Sequence, residues 1–222
     1  MGEWRRRFGG CVIGGVVLCA VLSSQPAVGE LYMAGQVGLT LPNSVSSVEG
    51  TGRFAGLSFS GGDLQTSVMY GAKMGYYFDS IKWLGVETEV FNTTPHPKQG
   101  NVTIGGVPAG TPRGAYWRVL TWAPVNVVAR YQMGRFEPYA GIGAGVFFFR
   151  AHDGQSGEST SSTRVGLNTQ LGGRYKLGQH LALFGEWKFN WAPFHFSETP
   201  ALIGIKGDYS AHILVLGLGY HF

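Results

Sequence analysis

Eight stretches of the chain alternate bulky apolar residues with small or polar ones at a period of two, the spacing of a β-strand whose successive side chains point to opposite faces. They are predicted at 31–41, 67–78, 83–92, within 115–131, and at 138–150, 164–177, 181–191 and 211–222. The last is the clearest: counting back from Phe222, the residues Tyr220, Leu218, Leu216 and Leu214 share one face, while His221, Gly219, Gly217 and Val215 share the other. In 181–191 the same rule sets Leu183, Trp187, Phe189 and Trp191 against Phe184, Glu186, Lys188 and Asn190. In 115–131 it sets Val119, Thr121, Ala123, Val125, Val127, Ala129 and Tyr131 against Arg118, Trp122, Asn126 and Arg130, with a bulge or local break expected at Pro124.

What separates the strands alternates in length. Stretches rich in Ser, Gly and Pro at 43–66, 93–114, 151–163 and 192–207 read as long loops, and Asp79-Ser80, 132–135 and Gly178-Gln179 as tight turns. Long and short connections in strict alternation predict an all-β fold: an eight-stranded antiparallel up-and-down transmembrane β-barrel with both chain ends on the short-turn side. The run Gly141-Ile142-Gly143-Ala144-Gly145 lacks the spacing of a nucleotide loop and belongs to a strand.

A water-soluble barrel would show the same period with its faces reversed. Two features put the apolar face outside. Aromatic residues on that face gather at strand ends, with Phe78, Tyr131, Tyr175, Tyr220 and Phe222 at one rim and Phe148 and Trp191 at the other, as at two lipid–water boundaries. The opposite face combines glycines with charges of both signs: Lys73, Glu87, Glu89, Arg118, Arg130, Arg174, Glu186 and Lys188. Eight strands leave a lumen only wide enough for side chains to fill, so these eight residues are predicted to form an ion-pair network inside it.

Residues 1–29 have the arginines, short apolar run and small residues of a secretory signal peptide, leaving 30–222 as the barrel domain. Both cysteines, Cys11 and Cys19, fall in that leader, so the exported domain is expected to have neither disulfide nor cysteine metal site. The formal charge of +4 falls when Arg5, Arg6, Arg7 and Glu3 are removed, leaving 14 basic and 12 acidic residues without a basic run. That balance argues against nucleic-acid binding. The histidines show no ligand spacing, so no metal or other cofactor is expected.

The segments Pro138–Gly145, Phe184–Trp191 and Gly217–Phe222 (PYAGIGAG, FGEWKFNW, GLGYHF) resemble the small eight-stranded outer-membrane barrels of the OmpA membrane-domain, OmpX, OmpW and opacity types. The resemblance implies the bacterial outer membrane, contact with its lipid and lipopolysaccharide, and a monomer. It also implies that the barrel assembly machinery recognises the last strand through Leu214, Leu216, Leu218, Tyr220 and Phe222. Function stays open among three readings: a structural or surface-interaction barrel with a plugged lumen, a lipid A-modifying enzyme, and a narrow pore. For the enzyme, Phe184–Trp191 looks similar to a strand of lipid A oxidases, and His195-Phe196-Ser197 looks like the H-x-S of outer-membrane deacylases. There Ser197 would be the nucleophile and His195 its base, with Glu198 or Asp208 to orient the imidazole. The deacylase pattern has Asn where this chain has Glu198.

Overall fold

The computed structural model describes residues 29–43, 46–60, 63–98, 102–110, 115–154, 156–199 and 202–222. The expected leader, with Cys11 and Cys19, lies outside the described residues apart from Gly29. The strands, in chain order, are β1 Glu30–Pro42, β2 Ser46–Gly50, β3 Phe59–Ser60, β4 Ser67–Tyr77, β5 Leu84–Thr93 and β6 Val102–Ile104, then β7 Val107–Gly110, β8 Tyr116–Arg130, β9 Phe136–His152, β10 Ser159–Lys176, β11 Leu181–Phe196 and β12 Ile205–His221.

Eight of them, β1, β4, β5, β8, β9, β10, β11 and β12, follow one another round an antiparallel sheet, and β1 pairs with β12 to close it. The closing register runs from Tyr32↔His221 to Pro42↔Ala211, so the barrel has no open edge along its seam. The apolar parity is outside: Val37, Leu216, Ile142 and Leu171 are all more than half exposed on the wall. A large apolar outer surface around a charged interior is the inverse of a water-soluble protein.

The strands run further than their apolar stretches. Crossing a bilayer takes about 9–11 tilted residues, while β10 has 18 and β11 has 16. Cross-strand hydrogen bonds do not depend on side-chain polarity, so pairing continues into the polar segments expected as loops. The two longest connections hold short strands of their own. β2 adds to the upper part of β12, and β3, β6 and β7 form a separate small sheet.

One strand departs from strict alternation. Between Trp122↔Val146 and Val125↔Ala144 the β8 register slips by one residue, and the same slip separates Glu87↔Asn126 from Glu89↔Ala123 across β5. This is a bulge at Pro124, whose missing N–H costs nothing where no rung is made. Thr88 Oγ1 donates to the Ala123 carbonyl at 3.2 Å beside it. One extra residue swaps the faces above it. Val119, Thr121 and Ala123, expected on the lipid side, are buried inside, and Arg118 and Trp122, expected inside, are exposed outside.

Candidate functional site

The barrel interior is built in three levels. At the short-turn end Arg130 forms an ion pair with Glu30 at 2.6 Å, and Lys176 forms one with Glu137 at 2.8 Å. Arg174 stands 3.6 Å from Glu137, and the Arg130 guanidinium lies 3.7 Å from the centre of the Tyr77 ring. The His221 ring faces Glu30 and stacks on Tyr32.

In the middle, Lys73 bonds Glu186 and lies 3.4 Å from Glu87. Lys188, fully buried, reaches Glu89 at 2.7 Å, Glu186 at 3.0 Å and the Gln170 side chain at 2.9 Å. Amide side chains fill the remaining acceptor positions. Asn168 donates to Glu89 at 2.7 Å, Gln170 to Glu87 at 2.9 Å and Gln36 to Glu89 at 3.2 Å. The Tyr139 hydroxyl donates to Glu186 at 2.6 Å, and that of Tyr32 to Glu87. Every carboxylate in these two levels therefore meets a cation, which is what makes buried charge tolerable. Glycine supplies the room: a side chain at Gly75 would strike the Tyr32 ring, and one at Gly143 would strike Asn126.

Towards the long-loop end the lining turns aromatic. Phe147, Phe149, Phe194, Phe196 and Tyr209 form one buried cluster with Val119, and Leu64, from the first long connection, packs into it from outside the barrel strands. Trp117 meets Phe194 and Phe196 edge-on at 5.1 Å between ring centres.

Of the eight charges expected inside, Lys73, Glu87, Glu89, Arg130, Arg174, Glu186 and Lys188 are buried there. Arg118 is the correction: above the Pro124 bulge it stands exposed on the outer face, opposite Arg150. Sequence reasoning missed Glu30, Glu137, Lys176 and the aromatic level. Parity carries the signal for two of these. Glu137 lies two residues before inward-facing Tyr139, and in the run Phe147-Phe148-Phe149 two rings must face in when Phe148 faces out.

The four candidate catalytic residues do not converge on one reacting centre. His195 and Ser197 are exposed beyond the outer rim; the His195 backbone N–H donates to Ser162 Oγ at 3.2 Å, and its ring makes no hydrogen bond to Ser197. Glu198 is taken by Arg53, whose side chain and backbone N–H both donate to it, and this holds its carboxyl below the ordinary range. Asp208 shares a groove with His195, on neighbouring strands where His195 pairs with Lys206 and Pro193 with Asp208. Among the described residues no group of three or more His, Cys, Asp or Glu side chains is arranged to hold a metal ion. On β12, Leu214, Leu216, Leu218, Tyr220 and Phe222 are exposed along the outer face.

The family model of the outer membrane protein beta-barrel domain matches residues 15–222. No curated protein matches the chain. Among solved structures it is similar to OprG from Pseudomonas aeruginosa, at 18% identity over 88% of this chain and 96% of that one with a TM-score of 0.61. It is also similar to Neisserial surface protein A, at 12% identity over 87% and 97% with a TM-score of 0.54. A major outer membrane protein from Thermus thermophilus matches at 15% identity over 87% and 99% with a TM-score of 0.52. At these identities the likeness is one of fold.

Proposed function

Because this chain belongs to the outer membrane protein beta-barrel domain family, and so to the bacterial outer membrane, we propose that it is a non-enzymatic barrel with a plugged lumen that presents its long-loop module at the cell surface. The observation that carries this reading is the interior itself. Five cations, Lys73, Arg130, Arg174, Lys176 and Lys188, meet five carboxylates, Glu30, Glu87, Glu89, Glu137 and Glu186, in two stacked sets of ion pairs. Opposite charges in equal number hold one another in place, so an ion entering the lumen would have to displace an opposite charge already paired there. The aromatic level then covers this network from the long-loop side.

In this reading residues 1–29 are the export leader, the outer face of β12 is read by the assembly machinery, and the folded barrel is a monomer in contact with lipid and lipopolysaccharide. Single-channel recording in planar bilayers tests the plug. The expected record has no steady open level, and a stable ohmic conductance would favour the pore instead. Mass spectrometry of lipid A from cells with and without the gene tests the enzyme reading. Identical profiles are expected, and a lost acyl chain or an added oxygen would overturn the non-enzymatic assignment.

A further inference from the structure

Above Trp191 the barrel wall opens. β10 and β11 are paired from Leu167↔Trp191 to Lys176↔Ala182, yet both strands continue past Trp191 and Leu167. There β11 keeps its rungs to β12, from Ala192↔Tyr209 to Phe196↔Ile205, and β10 keeps its rungs to β9. Side chains bridge the parted strands: the His195 N–H donates to Ser162 Oγ at 3.2 Å, and Thr160 Oγ1 donates to the Ser197 carbonyl at 3.3 Å.

A groove of about 460 Å³ lies at this parting, lined by Arg164, Pro193, Phe194, His195, Gly207 and Asp208. The Lys206–Glu49 ion pair, 2.9 Å long, borders it. Arg164 has the parity of buried Ser162, Asn168 and Gln170 but is exposed. Among the described residues it has neither ion pair nor side-chain hydrogen bond, and the same holds for Asp208. Among the described residues the groove therefore offers a cation, Arg164, and an anion, Asp208, that pair neither with each other nor elsewhere, while the Lys206 and Glu49 charges are spent on one another.

Its height is defined by its neighbours. Trp191 is exposed on the wall, and Trp187 stacks on His212 at 5.5 Å between ring centres. Such rings settle at the hydrocarbon boundary. Four residues further along a tilted strand, at His195, the wall has risen roughly 9 Å, into the headgroup layer. Exposed Val165 and Leu167 offer an apolar track directly below.

We propose that this groove binds the headgroup of an outer-leaflet lipid carrying an aminoethyl phosphate, with the phosphate on Arg164 and the primary ammonium on Asp208. Guanidinium matches phosphate oxygens with two parallel N–H donors. A headgroup with negative charge alone would meet the Asp208 carboxylate in the same groove, and a quaternary ammonium has no N–H to give it. The acyl chains continue down past Val165 and Leu167. The site stands on the outer wall, so it holds whether or not the lumen conducts.

Native mass spectrometry of barrel purified from outer membranes, offered equal amounts of dioleoyl phosphatidylethanolamine, phosphatidylcholine and phosphatidylglycerol, tests this. The ethanolamine lipid is expected to be retained about tenfold over either competitor, the ratio that one charge-assisted hydrogen bond of about 1.5 kcal/mol gives. Arg164→Gln and Asp208→Asn should each abolish that preference, and Arg164→Lys should keep part of it. All three residue changes are at exposed or half-exposed positions, and the heat-dependent gel shift of a folded barrel reports that each variant is folded. Retention of the glycerol lipid equal to the ethanolamine lipid, or a preference untouched in both charge-removing variants, would overturn the proposal. Displacement of the lipid by an equal concentration of soluble phosphorylethanolamine would also overturn it, since the occupant would then not be a lipid.

Discussion

The ammonium of Lys188 serves Glu89, Glu186 and Gln170 at once, and no part of the residue reaches water. Lys188→Met keeps the volume and removes the charge, leaving two carboxylates short of a partner in a closed interior. The expected cost is about 3–5 kcal/mol, read as a lower urea midpoint for unfolding from lipid vesicles, and an unchanged midpoint would show that the network is not held by charge. A second residue-scale expectation concerns Glu198. Arg53 hydrogen bonds depress its carboxyl, so the contact contributes above the ordinary carboxylate range and is lost as pH falls through the depressed value. The Arg53 Nε–H resonance should therefore persist from neutral pH into mild acid and disappear only below it, and Arg53→Gln should show no such transition. The charged lumen residues were legible in the sequence because parity alone assigns a face. Glu30 was not, because it stands at the very start of β1, where a single acidic residue has no alternation before it to place it.

Within β8, one extra residue sets which way the residues above it face. The Pro124 bulge lets Asn126, Val128 and Arg130 face inward below it and Val119, Thr121 and Ala123 face inward above it. Removing Pro124 altogether would restore strict alternation with the same faces: Ala123 would stand next to outward Val125 as an inward residue, Thr121 and Val119 would stay inside, and Arg118 and Trp122 would stay outside. The deletion is therefore expected to retain the heat-dependent gel shift of the folded barrel, as is Pro124→Ala, which keeps the residue count. A deletion variant that loses the shift would show that the bulge itself, and not only the facing around it, is needed to close the barrel. Pro124 announces an irregularity in the sequence, but proline is equally compatible with a break that preserves parity and with a bulge that inverts it. The length of β10 and β11 was illegible for a different reason. Their ends are paired by backbone hydrogen bonds through polar and proline-containing segments, and hydrophobic periodicity cannot report on pairing that no hydrophobic side chain drives.

Across the whole barrel the charged and aromatic levels stand in series, so either alone is expected to keep the lumen closed. Removing the charges with Glu89→Ala, Glu186→Ala and Lys188→Ala together should leave planar-bilayer conductance at background, and so should Phe149→Ala with Phe194→Ala. Combining all five should produce a leak, whereas a leak from the first set alone would assign the whole barrier to the ion pairs. Strand number, alternating connections and the lipid-facing parity were all readable from the chain, because each is written in a local period of two and in the spacing of turn residues. Which charge meets which was not. Lys73 and Glu186 are 113 positions apart in the chain, and Lys188 and Glu89 are 99 apart. Closure of β1 on β12 and the one-residue slip at Pro124 set those encounters. The parting of β10 from β11 is likewise absent from any local pattern, since it depends on where each strand's two neighbours let it go. Periodicity is a property of consecutive residues, whereas partners in a closed sheet are chosen by register, and register exists only once all eight strands are in place.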